Sequence, residues 1–209
     1  SKEVKNPEEW IVKSTKDSLR KLNVKKIHGI LLHHPENLFG RNSEKILRGL
    51  EKIKSYGLVK KIGLSVYSPF QFEEFFKIGK FDIVQCPFNL VDQRLKTSGW
   101  LNTLHEKKIE IHTRSIFLQG LLLMQKREIP KEFNPWKPLF DIWHDWLKSE
   151  NISPIQACIS FALSNENIDK VVIGVDSLLQ LKEIISLFKK KYLGIFPNIM
   201  SEDLPFINP

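Results

Sequence analysis

The sequence predicts an α/β fold of parallel strands joined by helical crossovers. Short apolar runs such as Ile27 to Leu32 alternate with amphipathic segments of helical period, and the stretches between successive runs are long enough to cross over a sheet. Size agrees: 209 residues at 42% hydrophobic composition can bury a sizeable core, within the range of a single α/β domain over residues 1–209.

Pro7 to Leu22 is expected to be helical. Pro7 suits a first turn, Glu8 and Glu9 suit the positive end of the helix dipole, and Trp10, Ile11, Leu19 and Leu22 form an apolar stripe that ends at Asn23. Ile27 to Leu32 then reads as a strand buried on both faces of a parallel sheet. Ser43 to Tyr56 repeats the helical pattern through Ile46, Leu47, Leu50, Ile53 and Tyr56, with Gly57 to stop it, and leads into a strand from Lys61 to Ser65. Ser68-Pro69 opens another helix. Further strands are expected from Phe81 to Cys86, Ile109 to Thr113 and Ile168 to Ile173, with helices from Thr97 to Lys107 and from Ser177 to Lys190. Met124 to Asn151 is too long and too aromatic for an ordinary loop. Leu139, Trp143, Trp146 and Leu147 mark one additional helix there, and Ser153-Pro154 starts a further one to Leu163. Units of roughly 20 to 60 residues suit a (β/α)8 TIM barrel with insertions, of which the chain would hold about five of the eight units.

The net charge of +8 comes from short runs, Lys25-Lys26, Lys60-Lys61, Lys107-Lys108 and Lys189-Lys190-Lys191, read as solvated residues at element ends or as attraction for an anionic cofactor or substrate. The aromatic residues lie on apolar stripes and do not alternate with Lys or Arg, so nucleic acid is not an expected partner. Cys86 and Cys158 lack a CxxC partner or a His at ligand spacing. No metal is expected, and reduced thiols in a cytoplasmic compartment are. No apolar run reaches the length of a membrane span or forms a signal-peptide core.

Several segments, in their order and spacing, resemble the aldo-keto reductase family. Ile30-Leu31-Leu32-His33-His34-Pro35 is similar to the family's fourth strand, which ends in a leucine-rich run, a catalytic His and usually Trp-Pro; His33 matches the His, and His34 stands at the Trp. Ile62-Gly63-Leu64-Ser65-Val66-Tyr67-Ser68-Pro69 is similar to the fifth strand and its turn. The segments Phe81 to Asn89, Ile111 to Ser115 running on to Gln119-Gly120-Leu121-Leu122, and Val171 to Leu181 continue the resemblance to the family's last strand and cofactor-holding helix. It starts at the family's third helix, and implies a partial barrel that reduces an aldehyde or ketone to an alcohol with NADP or NAD.

The resemblance gives His33 the catalytic place, hydrogen-bonded to the substrate carbonyl as neutral imidazole; read alone, it is a polar cap at a strand end. Ser65 matches a serine that binds the nicotinamide carboxamide with a following Asn, here replaced by Val66. Gln85 matches a glutamine with the same task, for which its amide offers both donor and acceptor. Arg114 stands where an aromatic residue often stacks on the nicotinamide. Ser115, Phe117 and Gln119 follow where a loop covers the pyrophosphate, with ordinary packing as the alternative. Gly174 and Asp176 form a turn before a helix N-terminus, suited to phosphate or to plain capping. Gln180 aligns with a frequent Arg against the 2′-phosphate and Glu183 with an adenine-binding carboxylate, while Ile184 replaces the usual Asn. His28, His105, His112 and His144 read as structural.

The Asp, Tyr and Lys that complete the family's tetrad have no counterpart before His33. The 209 residues are therefore expected to be the C-terminal part of a longer enzyme of about 300 residues, inactive without a proton donor. The alternative is a non-catalytic dinucleotide-binding or regulatory barrel. The tail from Leu193 to Pro209 either closes over the site or covers the barrel.

Overall fold

The computed structural model describes residues 5–208 and divides into two compact units, residues 5–85 with 104–110, and residues 86–103 with 111–208. The strands belong to one parallel sheet of order β1-β2-β3-β4-β5.

In the first unit, α1 (Pro7–Lys21) starts where the Asn6 side chain accepts the Glu9 amide, and Asn23 leaves the helix in the left-handed region. Its buried row is Pro7, Ile11, Thr15 and Leu19, while Trp10 and Leu22, expected in the stripe, are 55% and 61% exposed. A strict four-residue spacing places the row on the face that meets α2 (Ser43–Ser55), and Thr15 can join it because its hydroxyl donates to the Ile11 carbonyl at 2.8 Å. Gly49 sets the approach of the two helices, since a Cβ there would lie 3.1 Å from the Glu8 Cα. Beside this contact Lys52 donates to Glu8 at 2.9 Å, which holds the Glu8 carboxyl below its ordinary pKa. Tyr56, expected in the α2 stripe, is instead exposed just before Gly57 turns left-handed.

β1 (Ile27–Leu32) and β2 (Val59–Ser65) pair in parallel from Ile27↔Val59 to Leu32↔Leu64. β2 begins two residues earlier than expected, because Ile27 donates to Leu58 and draws the preceding residues into the ladder. β1 is only half-buried, contrary to the expectation of burial on both faces, because it is the first strand in the sheet order. Ser68 and Gln71 form a reciprocal cap on a single 3₁₀ turn, Pro69–Gln71, which precedes α3 (Phe72–Ile78). β3 (Ile83–Pro87) pairs with β2 through Gly63↔Ile83, Leu64↔Val84 and Ser65↔Gln85. Gly63 is required there: a Cβ would sit 2.0 Å from the Ile83 carbonyl oxygen. Phe81 and Asp82 stand outside the strand, where Asp82 donates its amide to the Ile62 carbonyl (2.8 Å) and takes the Ile62 amide on its carboxylate (3.0 Å).

The helix expected from Thr97 to Lys107 is broken into α4 (Arg94–Thr97) and α5 (Trp100–Glu106) by Gly99 at φ +81°. β4 (Glu110–Arg114) follows.

In the second unit the aromatic stretch contains α6 (Lys137–Ser149), with Phe140, Trp143 and Leu147 buried. Trp143 is fully buried because its indole N–H reaches the Leu122 carbonyl at 3.1 Å. α7 (Pro154–Leu163) starts at Ser153, whose hydroxyl accepts the Gln156 amide. β5 is reduced to Lys170–Val171, much shorter than the expected Ile168 to Ile173, and pairs as His112↔Lys170 and Thr113↔Val171. Asp169 repeats the Asp82 arrangement, donating to the Ile111 carbonyl (3.0 Å) and accepting the Ile111 amide (2.7 Å). α8 (Leu178–Leu187) also ends earlier than the expected Lys190. The tail packs within this unit: Phe196 meets Trp146 and Phe161, and Phe206 on α9 (Leu204–Ile207) stacks on Trp136 with ring centroids 5.0 Å apart. Among the described residues no helix is long and apolar enough to cross a membrane.

Asp169→Ala removes the acceptor of the Ile111 amide, and the expected loss of unfolding free energy is about 1–3 kcal/mol. It should appear as a lower urea midpoint at unchanged slope, with Asp169→Asn, which keeps an acceptor oxygen, losing less. An Ala variant as stable as the parent would show that the aspartate does not hold the strand.

Candidate active site

Parallel pairing decides which side chains meet at the C-terminal ends of the strands. In the first unit the recorded β1–β2 register ends at Leu32↔Leu64, with His33 one residue beyond β1, and Ser65↔Gln85 pairs the ends of β2 and β3. Ser65 and Gln85, aligned in this way, project from the same face of the sheet, so a hydroxyl and a carboxamide stand side by side, and His33 follows the end of the neighbouring strand. Ser65 is 7% exposed and Gln85 half-buried. Among the described residues neither the Ser65 hydroxyl nor the Gln85 amide has a hydrogen-bond partner, and both retain their capacity for a ligand.

His33 and His34 are exposed and touch edge to face, ring centroids 4.7 Å apart, with His33 Nδ1 3.3 Å from His34 Nε2. One of these nitrogens donates, and if His33 does so its Nε2 is left as an acceptor. His34 is the only hydrogen-bond partner of His33 among the described residues. Val66, in place of an Asn, is fully buried.

In the second unit, Arg114 ends β4 and its Nη1 donates to the Ser115 hydroxyl at 3.2 Å. Ser115, Leu118 and Gln119 all have positive φ, followed by Gly120 at +90°, so the backbone turns sharply without leaving its carbonyls idle: Ser115 accepts from Leu118, and Phe117 from Gly120. Phe117 packs against Ile116, Ile159, Ala162 and Ile184, whereas Gln119 is exposed. After β5, Gly174, Asp176 and Glu183 are exposed. The Ser177 hydroxyl accepts the Gln180 amide (3.1 Å) and Gln180 Oε1 accepts the Asp176 amide (2.8 Å), so the Gln180 side chain serves as a helix cap.

Sequence reasoning missed the brace of this region. Asn89 is 1% exposed; its Oδ1 accepts the amides of Val91 and Asp92, and its Nδ2 donates to the Ser115 carbonyl at 3.0 Å. Next to it Asp92 and Arg94 form a buried two-point ion pair, both bonds 2.9 Å. The available signal was Asn89-x-x-Asp92 after a strand, an Asx-turn pattern. Cys86 is fully enclosed, and burial pushes its thiol up to about 12, away from nucleophilic use. Among the described residues no three His, Cys, Asp or Glu side chains stand together in a metal-binding group.

The comparisons with known proteins agree with this architecture. The chain is 24% identical over 185 residues to the uncharacterized oxidoreductase YqkF of Bacillus subtilis (strain 168), a match that covers 84% of the chain and 59% of the relative. It superposes on the aldo-keto reductase AKR11C1 from Bacillus halodurans with a TM-score of 0.72 in the apo form and 0.70 in the holo form, at 19% identity. That superposition covers 90% of the chain and 65% or 64% of AKR11C1. The chain thus spans less than two thirds of the length of these relatives, and shares the α/β fold of AKR11C1. The model of the aldo/keto reductase family matches residues 1–193, and the chain belongs to that family.

Proposed function

We propose that the protein takes part in the reduction of an aldehyde or ketone to an alcohol with a nicotinamide dinucleotide, NADP or NAD. The observation that carries the reading is the Ser65–Gln85 pair, whose side chains have unspent hydrogen-bonding groups among the described residues, with His33 directly after the end of the neighbouring strand. A hydroxyl and a carboxamide side by side fit the nicotinamide carboxamide, which has one acceptor and one two-proton donor. The dinucleotide supplies a hydride when bound. Ser65 and Gln85 would fix the plane of its ring. Within the second unit, Arg114, Ser115, Phe117 and Gln119, with Gly174, Asp176, Gln180 and Glu183, are the residues that the family resemblance offers to a dinucleotide. His33 would hold the carbonyl oxygen by a hydrogen bond and orient the substrate. The two cysteines, buried and free, suit a reducing compartment such as the cytoplasm.

A second reading is a barrel that binds the dinucleotide without catalysis. It is favoured by the contact of His33 with His34, its only hydrogen-bond partner among the described residues, which provides no carboxylate or phenol to relay a proton.

Fluorescence titration with NADH and NADPH, then steady-state reduction of 4-nitrobenzaldehyde, both on the full-length enzyme with the sequence upstream of Ser1 restored, separates the two. Ser65→Ala and Gln85→Ala should each weaken dinucleotide binding about 3- to 10-fold, as expected for one lost hydrogen bond. His33→Gln should leave binding intact and lower kcat/KM about 100-fold, with His34→Ala affecting mainly KM. Binding without turnover selects the second reading, and affinities unmoved by both substitutions in the pair remove the basis of either.

Cofactor choice follows from Gln180. A neutral amide already engaged by the Asp176 N–H gives the 2′-phosphate no charge-assisted bond, so NADPH should show little advantage over NADH. Gln180→Arg is expected to shift the ratio of dissociation constants towards NADPH by about 10-fold, on the scale of one charged hydrogen bond. A strong native preference for NADPH that the substitution leaves unchanged would refute the role of this residue.

A further inference from the structure

The stretch that precedes α6 holds a groove of about 410 Å³ that shares no residue with the candidate active site. Its floor is Phe133, Phe140 and Ile129, and its rim is Lys126, Arg127 and Lys137. The floor is firmly backed: Phe206 lies 6.5 Å from Phe133 and 5.5 Å from Phe140 between ring centroids, and itself stacks on Trp136. The rim is unbalanced. Asp141 holds Lys126 at 2.5 Å and feels the charge of Lys137, but neither Arg127 nor Lys137 has an ion-pair partner among the described residues. Asp141 and, at longer range, Asp145 act on Lys126, which leaves Arg127 and Lys137 as rim cations without an ion-pair partner among the described residues, beside an aromatic surface of a size that suits one small organic molecule.

We propose that this groove binds an aromatic carboxylate, with the ring on Phe133 and Phe140 and the carboxylate between Arg127 and Lys137. A planar guanidinium at the rim suits the two oxygens of a carboxylate, and the ring covers apolar surface otherwise left to water. A neutral aromatic compound satisfies only the floor, and an inorganic anion only the rim.

Isothermal titration calorimetry on the intact chain, with naphthalene-2-carboxylate as the probe and naphthalene-2-carboxamide as its neutral counterpart, tests the assignment. The carboxylate should bind with a Kd of about 1 mM or tighter, the value expected for a ligand of this size at ordinary efficiency. The carboxamide should bind about 5- to 10-fold more weakly, and raising the salt to about 0.5 M should narrow the difference by screening the exposed rim. Arg127→Glu combined with Lys137→Glu replaces two exposed side chains and should weaken the carboxylate at least 10-fold, on the scale of losing two charged hydrogen bonds, while the circular dichroism spectrum is unchanged. Dinucleotide affinity, governed by other residues, should stay constant in the same variant. Absence of binding at 5-fold the expected Kd, equal affinity for the two probes, or full affinity in the double variant would each overturn the proposal.

Discussion

Parallel strands lack the tight hairpins that fix register in antiparallel sheets, so something else must prevent them from sliding. Here two aspartates do so. Asp82 and Asp169 each stand one residue before a strand, and each grips a single residue of the preceding strand, Ile62 or Ile111, by both its N–H and its carbonyl. A one-residue slip would break both bonds and turn every side chain to the opposite face. The alignment of Ser65 with Gln85 therefore depends on a contact made at the start of β3, and Gly63 allows the two strands the close approach that the contact needs.

The N-terminal ends of the strands in the first unit carry a further polar anchor. Glu110 is 8% exposed, and its carboxylate is shared by His28 of β1, at 2.8 and 2.9 Å, and Lys61 of β2. A carboxylate removed from water needs such partners, and here they come from separate strands and tie them together. Stability is thus concentrated at one end of the strands, and the groups with unused hydrogen-bonding capacity at the other.

Much of this was legible in the sequence because it rests on local chemistry. Ser153-Pro154 started a helix as expected, Gly57 stopped one, and the periodic run in the aromatic stretch became α6. The errors have a common cause in tertiary context. Trp10 and Leu22 look like core residues by composition, but the helix they belong to packs along the Thr15 row. Lys61 reads as one of a solvated pair, yet it lies within β2 against Glu110. The first unit's Ser65–Gln85 pair, with His33 after the neighbouring strand, was visible only through a family resemblance, since no periodicity marks residues that come together by strand pairing. Asn89 was within reach as a turn residue, but its bond to the Ser115 carbonyl joins two loops that are distant in sequence.

The burial of Trp143 has a spectroscopic consequence. Of the five tryptophans, Trp100, Trp136, Trp143 and Trp146 belong to the second unit and only Trp10, more than half exposed, to the first. Emission from an indole enclosed by apolar groups and bound to a carbonyl differs from that of one in water, so a change in fluorescence on denaturation reports chiefly the opening of the second unit. Far-ultraviolet circular dichroism, to which α1 and α2 contribute, senses both. Unfolding curves from the two probes coincide only if the two units melt together, and any separation between them measures how far each unit's cooperativity is its own.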